Sequence, residues 1–182
     1  MTDTDTRPAD APAVVPDFGD DEAGDRKICF ICSKGNLDMA YPALIMANGA
    51  LGEGIETHLF FTFWGMDMIT KEKMGDLKMT PLGNTSMVLP NTSVSMPQGL
   101  GGLPGLTGFA TRRMKKQIAE LDVPEIPEVL EMLTDMGANL WACQMSDDMM
   151  GLAEEDLFDG VIDVINVSQF MELSEDAQVI FV

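Results

Sequence analysis

Positive charge is scarce in this chain: 11 Lys and Arg stand against 30 Asp and Glu, for a formal net charge of −19. So acidic a surface repels a phosphate backbone, and nucleic-acid binding is not expected. Histidine is scarcer still. The single one, His58, lies beside Leu59 and Phe60 in an apolar run and reads as structural, which argues against a Cys-His hydrolase. Long apolar stretches are also missing. The longest, around Leu59 to Trp64, is far shorter than the roughly 20 residues of a spanning helix, so no membrane span is predicted. Cysteine is limited to three, an odd number, and the opening segment is rich in Asp, Thr, Pro and Ala, unlike a secretory signal. A reducing cytoplasm is the expected setting.

What is present suffices for one core. With 182 residues, 46% of them hydrophobic, the chain is long enough for one domain and too short for two ordinary ones. Residues 1–25 combine acids and prolines with few large apolar side chains, so they cannot offset their ordering entropy and read as a disordered acidic arm. The domain is then 26–182, with an insertion at about 66–108. Ile28 to Cys32 reads as a buried strand ending in the turn Ser33-Lys34-Gly35-Asn36. Asn36 is placed to cap a helix running to about Gly52, which Pro42 either delays to near Tyr41 or kinks. His58 to Phe63 reads as a second strand.

Beyond the insertion, Thr111 is a candidate cap for a helix over Arg112 to Leu121. Ile126, Val129, Leu130 and Leu133 mark one face of another, with Pro127 in its first turn and Gly137 at its exit. Asn139 to Gln144, Val161 to Val164 and Gln178 to Val182 complete the strands, and Met145 to Gly151 reads as a turn and short helix. Strands alternating with helices predict a mainly parallel sheet of about five strands covered on both faces.

Among residues that carry chemistry, Cys143 stands where an apolar strand meets a turn, and in open α/β sheets ligands gather outside the carboxyl ends of strands. Ser146 is a candidate cap whose turn would support a thiolate, while Asp147 and Asp148 oppose ionisation. The competing structural reading is a small buried hydrophobe at a strand end. Cys29 and Cys32 form a Cys-x-x-Cys, but strand alternation points residues three apart to opposite faces, and two thiols are too few for structural zinc. Cys32 remains a candidate accessory thiol if its strand neighbours that of Cys143. A dithiol redox pair built from these cysteines is a further alternative.

Arg112, Arg113, Lys115 and Lys116 form either a solvated helix face or a docking site for an acidic partner. The glycines from Gly99 to Gly108 match neither a phosphate loop nor a dinucleotide fingerprint, so no nucleotide is expected. Met66, Met68, Met74, Met79, Met87 and Met96 fall in the insertion, where flexible apolar side chains suit an adaptable binding surface. The insertion also holds Leu82, Val88, Leu103 and Leu106. Left exposed they would form a large apolar patch, so it is expected to build a contact between subunits of a homo-oligomer, the alternative being a lid on its own domain.

Three segments in order carry a resemblance: Ile31-Cys32-Ser33-Lys34-Gly35-Asn36-Leu37-Asp38 with Tyr41-Pro42-Ala43-Leu44, Leu103-Pro104-Gly105 leading to Met114-Lys115-Lys116, and Cys143-Gln144-Met145-Ser146 with Gly151. From about Lys27 to Val182 the chain resembles the DsrE/DsrF-like family, in the branch with a long insertion. The resemblance implies a three-layer flavodoxin-like fold, homo- or hetero-oligomers, and a sulfurtransferase or sulfur-carrier role among sulfur-donor and sulfur-acceptor proteins. By motif match the persulfide-bearing cysteine is Cys143, and the chemistry calls for no metal or organic cofactor. The alternative is an oligomeric interaction or regulatory domain of the same fold that transfers no sulfur.

The acid excess admits two explanations. Setting aside residues 1–25, with eight acidic and one basic side chain, still leaves −12, so the arm accounts for only part of it. Adaptation to a salt-rich cytoplasm is the other explanation. If so, the melting temperature rises by many degrees between dilute buffer and molar potassium chloride, as salt screens carboxylate repulsion. A flat response in a thermal scan would count against halophily.

Overall fold

The computed structural model describes residues 26–82, 84, 87–88, 95, 97, 99 and 101–182. The acidic arm therefore lies outside the described residues, as does part of the insertion. Among the described residues five strands and five α-helices follow in order: β1 (Lys27–Cys32), α1 (Leu37–Gly52), β2 (Glu56–Phe61), α2 (Leu106–Ala119), α3 (Ile126–Asp135), β3 (Asn139–Cys143), α4 (Gln144–Met150), β4 (Val161–Ile165), α5 (Val167–Leu173) and β5 (Gln178–Phe181). All strand pairs are parallel, in the order β4-β3-β2-β1-β5. The fold is flavodoxin-like α/β, as the family resemblance implies, and the parallel sheet is the one that the alternation of strands and helices predicts.

The sheet's two faces are unequally covered. On one, Phe30, Leu59, Phe61, Leu140 and Ala142 pack with α1 and α3 into the main core. On the other, Cys29, Phe60, Cys143 and Ile165 meet Phe170 of α5, whose ring stacks on Phe60 at 4.5 Å. The chain steps from β1 to β4 in one direction and returns to β5 across the whole sheet, and α5, on that return crossing, packs on this second face.

Several elements differ from their sequence-based bounds. Helix α1 starts at Leu37 and runs through Pro42, because burial of Leu37, Ala40, Tyr41, Ala43, Leu44, Ala47 and Ala50 outweighs the hydrogen bond proline removes. Asn36 takes the N-cap backbone position, but its side chain donates to Thr80 Oγ1 instead of capping. Helix α2 begins six residues before Arg112. Its N-cap is Gly105 at φ +85°, and Thr111, buried inside the helix, donates to the Thr107 carbonyl and accepts from the Met79 N–H. Helix α3 follows expectation, with Pro127 in the first turn, a Glu125–Glu128 capping box and Gly137 at φ +97°. Strand β2 ends at Phe61, two residues early, and β3 ends at Cys143.

The first part of the expected insertion is core. Met66, Met68, Ile69 and Leu77 are buried, and Thr70 bridges to Leu157. Met66 and Met68 thus serve as packing and not as an adaptable surface, whereas Met96 lies outside the described residues. The close fit shows at Gly65, where a Cβ would fall 2.0 Å from the Cys32 carbonyl oxygen at the end of β1. Replacing Gly65 with Ala forces backbone apart at the carboxyl end of β1. A loss of about 1–3 kcal/mol, the range for overpacking, is expected in urea unfolding.

Candidate functional site

Cys143 is the last residue of β3 and the N-cap of α4, with an extended backbone at φ −83°, ψ 116°. Its side chain faces Phe60, Ile165 and Phe170, and the residue is 3% exposed. Burial pushes the thiol pKa up. Hydrogen bonds from the Ser146 and Thr62 hydroxyls, then from the backbone N–H groups of Ser146 and Met145, more than offset that and leave it below the ordinary 9.0. These donors stabilise the thiolate over the thiol.

Ser146 is fully buried, three residues into the turn that Cys143 caps, so it supports the thiol without being the cap itself. Its Oγ accepts the Phe63 N–H at 2.8 Å and lies 3.2 Å from Thr62 Oγ1. Phe63 reaches that position in a left-handed backbone, φ +46°, rare for a bulky residue and costing about 1–3 kcal/mol. Thr62 and Phe63 directly follow β2, which neighbours β3, so two adjacent strand ends converge on one sulfur. The sequence reading missed both residues. The signal available was their position just past the strand beside β3, visible only once strand order is known.

Asp147 and Asp148 follow the thiol. Burial, then the neighbouring Asp148 and Asp156, raise the Asp147 pKa above its usual 3.8, which weakens its opposition to a thiolate.

The other cysteines are placed differently. Cys32 sits in the main core on the opposite face, with β2 between its strand and that of Cys143, and burial pushes its pKa up to about 12. The strands are not neighbours, so the condition attached to an accessory role for Cys32 is unmet. Cys29 shares the second face with Cys143 but lies mid-strand, opposite His58, its pKa raised to about 11 chiefly by burial. Cys29 and Cys32 therefore point to opposite faces, as alternation requires.

His58 accepts the Trp141 indole N–H on Nδ1 at 3.1 Å and donates from Nε2 to Glu56 at 2.8 Å. Both ring nitrogens of the buried imidazole are engaged, one by Trp141 and the other by the exposed Glu56. Among the described residues no group of three or more His, Cys, Asp and Glu could hold a metal ion. The basic cluster lies on α2, with Arg112, Arg113 and Lys116 exposed and Lys115 donating to the Gly75 carbonyl.

The model of the DsrE/DsrF/DrsH-like family matches residues 24–182. The chain belongs to that family. It is 33% identical over 155 residues to the sulfur carrier protein DsrE2 of Allochromatium vinosum, covering 85% of this chain and 96% of that one. It is 29% identical over 155 residues to the uncharacterised protein YrkE of Bacillus subtilis, covering 85% of this chain and 94% of the other. The solved structure of MTH1491, a protein of unknown function from Methanobacterium thermoautotrophicum, matches with a TM-score of 0.53 at 13% identity over 87% of this chain and all of that one, a likeness of fold. Family membership agrees with the resemblance carried by the three motifs. Among the described residues no helix is long and apolar enough to cross a membrane.

The hydrogen-bond set makes the pH profile of alkylation diagnostic. Cys143 is expected to react with iodoacetamide along a curve whose midpoint lies below pH 9.0, and removing donors by Ser146→Ala or Thr62→Val moves that midpoint upward. Cys29 and Cys32, at about 11 and 12, stay unreactive throughout the neutral range.

Proposed function

We propose that this protein is a sulfur carrier that holds sulfane sulfur as a persulfide on Cys143 and passes it to an acceptor thiol. The observation that carries the reading is the position of Cys143, at the carboxyl end of β3 and the N-cap of α4 with Thr62 and Ser146 at the same strand ends, where neighbouring donors hold its pKa below the ordinary value. Similarity to a sulfur carrier protein over 85% of the chain supports it. In loading, the Cys143 thiolate attacks the outer sulfur of a donor persulfide, the donor S–S bond breaks, and the donor leaves as a thiolate. In discharge an acceptor thiolate attacks the sulfane sulfur, and Cys143 departs as the thiolate its donors stabilise. No electrons are gained or lost overall. The partners are sulfur-donor and sulfur-acceptor proteins of a reducing, cytoplasmic compartment. Cys32 has no direct part in this exchange.

An oligomeric interaction domain is the second reading, favoured by the exposed Val179 and Phe181 on edge strand β5 and the exposed Val167 and Met171 on α5. A homo-oligomer is compatible with both readings. The insertion remains our candidate for its contact, since Leu82 and Leu103 are exposed although Met66 to Leu77 pack inward. One experiment separates the readings. Reduced protein is incubated with polysulfide or a persulfide-loaded rhodanese, and its intact mass recorded. Gain of one sulfur atom, reversed by dithiothreitol and absent in Cys143→Ser, is expected of a carrier. Equal loading of Cys143→Ser sinks the site, and no loading at all favours the interaction domain.

A further inference from the structure

The Cys143 donors come from turns that continue directly into exposed apolar side chains. Thr62 is followed by Phe63 and Trp64, 45% and 62% exposed, and on the α4 side Met145, whose N–H faces the sulfur, exposes its own side chain. Phe63 is held there in its left-handed backbone by the bond to Ser146. A fold that keeps a bulky residue strained with its ring facing solvent, one hydroxyl away from the reactive sulfur, points to a use for that ring. Apolar side chains gathered beside a reactive group mark a contact surface more often than chance exposure does.

Trp64 also lines a surface cleft of about 460 Å³ whose charged walls are Asp67, Glu72, Lys73, Asp76 and Lys78. Lys73 pairs with Asp67 at 2.6 Å, and Lys78 pairs with Asp76. Glu72 is left as the charge in the cleft that no ion pair answers among the described residues. Asp147 and Asp148, in the turn that follows Cys143, add negative charge, and the whole chain carries −19. An apolar step therefore lies between a buried nucleophile and an unanswered carboxylate.

We infer that Phe63 and Trp64 are the docking platform for the sulfur-exchange partner, and that this partner is a protein presenting its reactive cysteine from an apolar segment that also bears a lysine or arginine. Its apolar residues settle on Phe63, Trp64 and Met145, its cation reaches Glu72, and its thiol meets Cys143. Charge complementarity fixes the sign of the partner, because an acidic loop would be repelled by Glu72 and by the surface around it. The chemistry is the exchange already described: the partner thiolate takes the sulfane sulfur, one S–S bond forms as another breaks, and the Cys143 thiolate is released. This inference rests on the persulfide-carrier reading and names the partner's surface chemistry.

The test uses full-length protein loaded with polysulfide and three synthetic peptides of equal length with one central cysteine, flanked by Leu and Lys, Leu and Glu, or Ser and Lys. Discharge rates are followed by mass spectrometry and expressed relative to free cysteine, so that a change in Cys143 reactivity cancels. The Leu/Lys peptide is expected to discharge the wild type about tenfold faster than either other peptide at low ionic strength, the advantage over Leu/Glu shrinking with salt. Trp64→Ala removes the advantage over Ser/Lys, and Trp64→Phe retains it. Glu72→Lys removes or reverses the advantage over Leu/Glu. Equal relative rates for all three peptides, or unaltered preferences in Trp64→Ala and Glu72→Lys, would overturn the docking surface while the carrier stands. Failure to load overturns the carrier, and the docking surface with it.

Discussion

The structure turns on a contest at one sulfur. Burial of Cys143 against Phe60, Ile165 and Phe170 disfavours the thiolate, and hydrogen bonds from Ser146, Thr62 and Met145 restore it. Neither half is dispensable for chemistry. An exposed thiolate would be open to any oxidant in solution, and a buried thiol without donors would be inert. The surrounding architecture serves the convergence of donors: β3 stops at Cys143 so that the N–H groups of Met145 and Ser146 in the following turn reach back toward it, and β2 stops at Phe61 so that Thr62 arrives from beside it.

That convergence requires the strand order. Because β2 and β3 are neighbours and parallel, their carboxyl ends lie side by side, and the turns that leave them share Ser146 as a common partner. The turn after β2 is in turn seated on β1, with Thr62 donating to the Cys32 carbonyl and Gly65 pressed against that same oxygen. Cys32 thus contributes through its backbone, supporting the floor on which the donor loop rests. On the second face Phe170 of α5 closes over Phe60, while Val179 and Phe181 of β5 and Val167 and Met171 of α5 remain exposed.

Much of this architecture was legible in the sequence, and the reasons differ by element. Helix α3 could be read because its apolar spacing, Pro127 and Gly137 all agree, and the structure adds a Glu125–Glu128 capping box. Cys143 could be placed at a strand end because an apolar run meets polar turn residues there. Helix α1 was harder, since Pro42 argued locally for a later start and only burial of a whole helix face overrides it. Helix α5 went unread, although Asn166 and Gln169 form a capping box, because seven residues give too little periodicity to see. Thr62 and Phe63 were beyond reach for a different reason. Their role depends on which strands are adjacent, and the left-handed backbone of Phe63 runs against its own preference.

The three cysteines show how little residue identity decides. Cys29 and Cys32 belong to one strand, Cys143 to another, and all three are buried. Cys29 is mid-strand, where backbone N–H groups are committed to the sheet ladder, and burial acts on it with only partial relief from Lys27. Cys32 ends its strand, yet it faces the main core, where Leu44, Phe61 and their neighbours offer no donors. Cys143 alone combines a strand end with the second face and with a helix that begins at once. A strand end frees backbone donors, the immediate helix aims them back at the side chain, and the neighbouring turn adds two hydroxyls. Moving the cysteine one residue in either direction along β3 would lose the set, because alternation would carry the sulfur to the main-core face and a later position would place it inside α4 with its donors behind it.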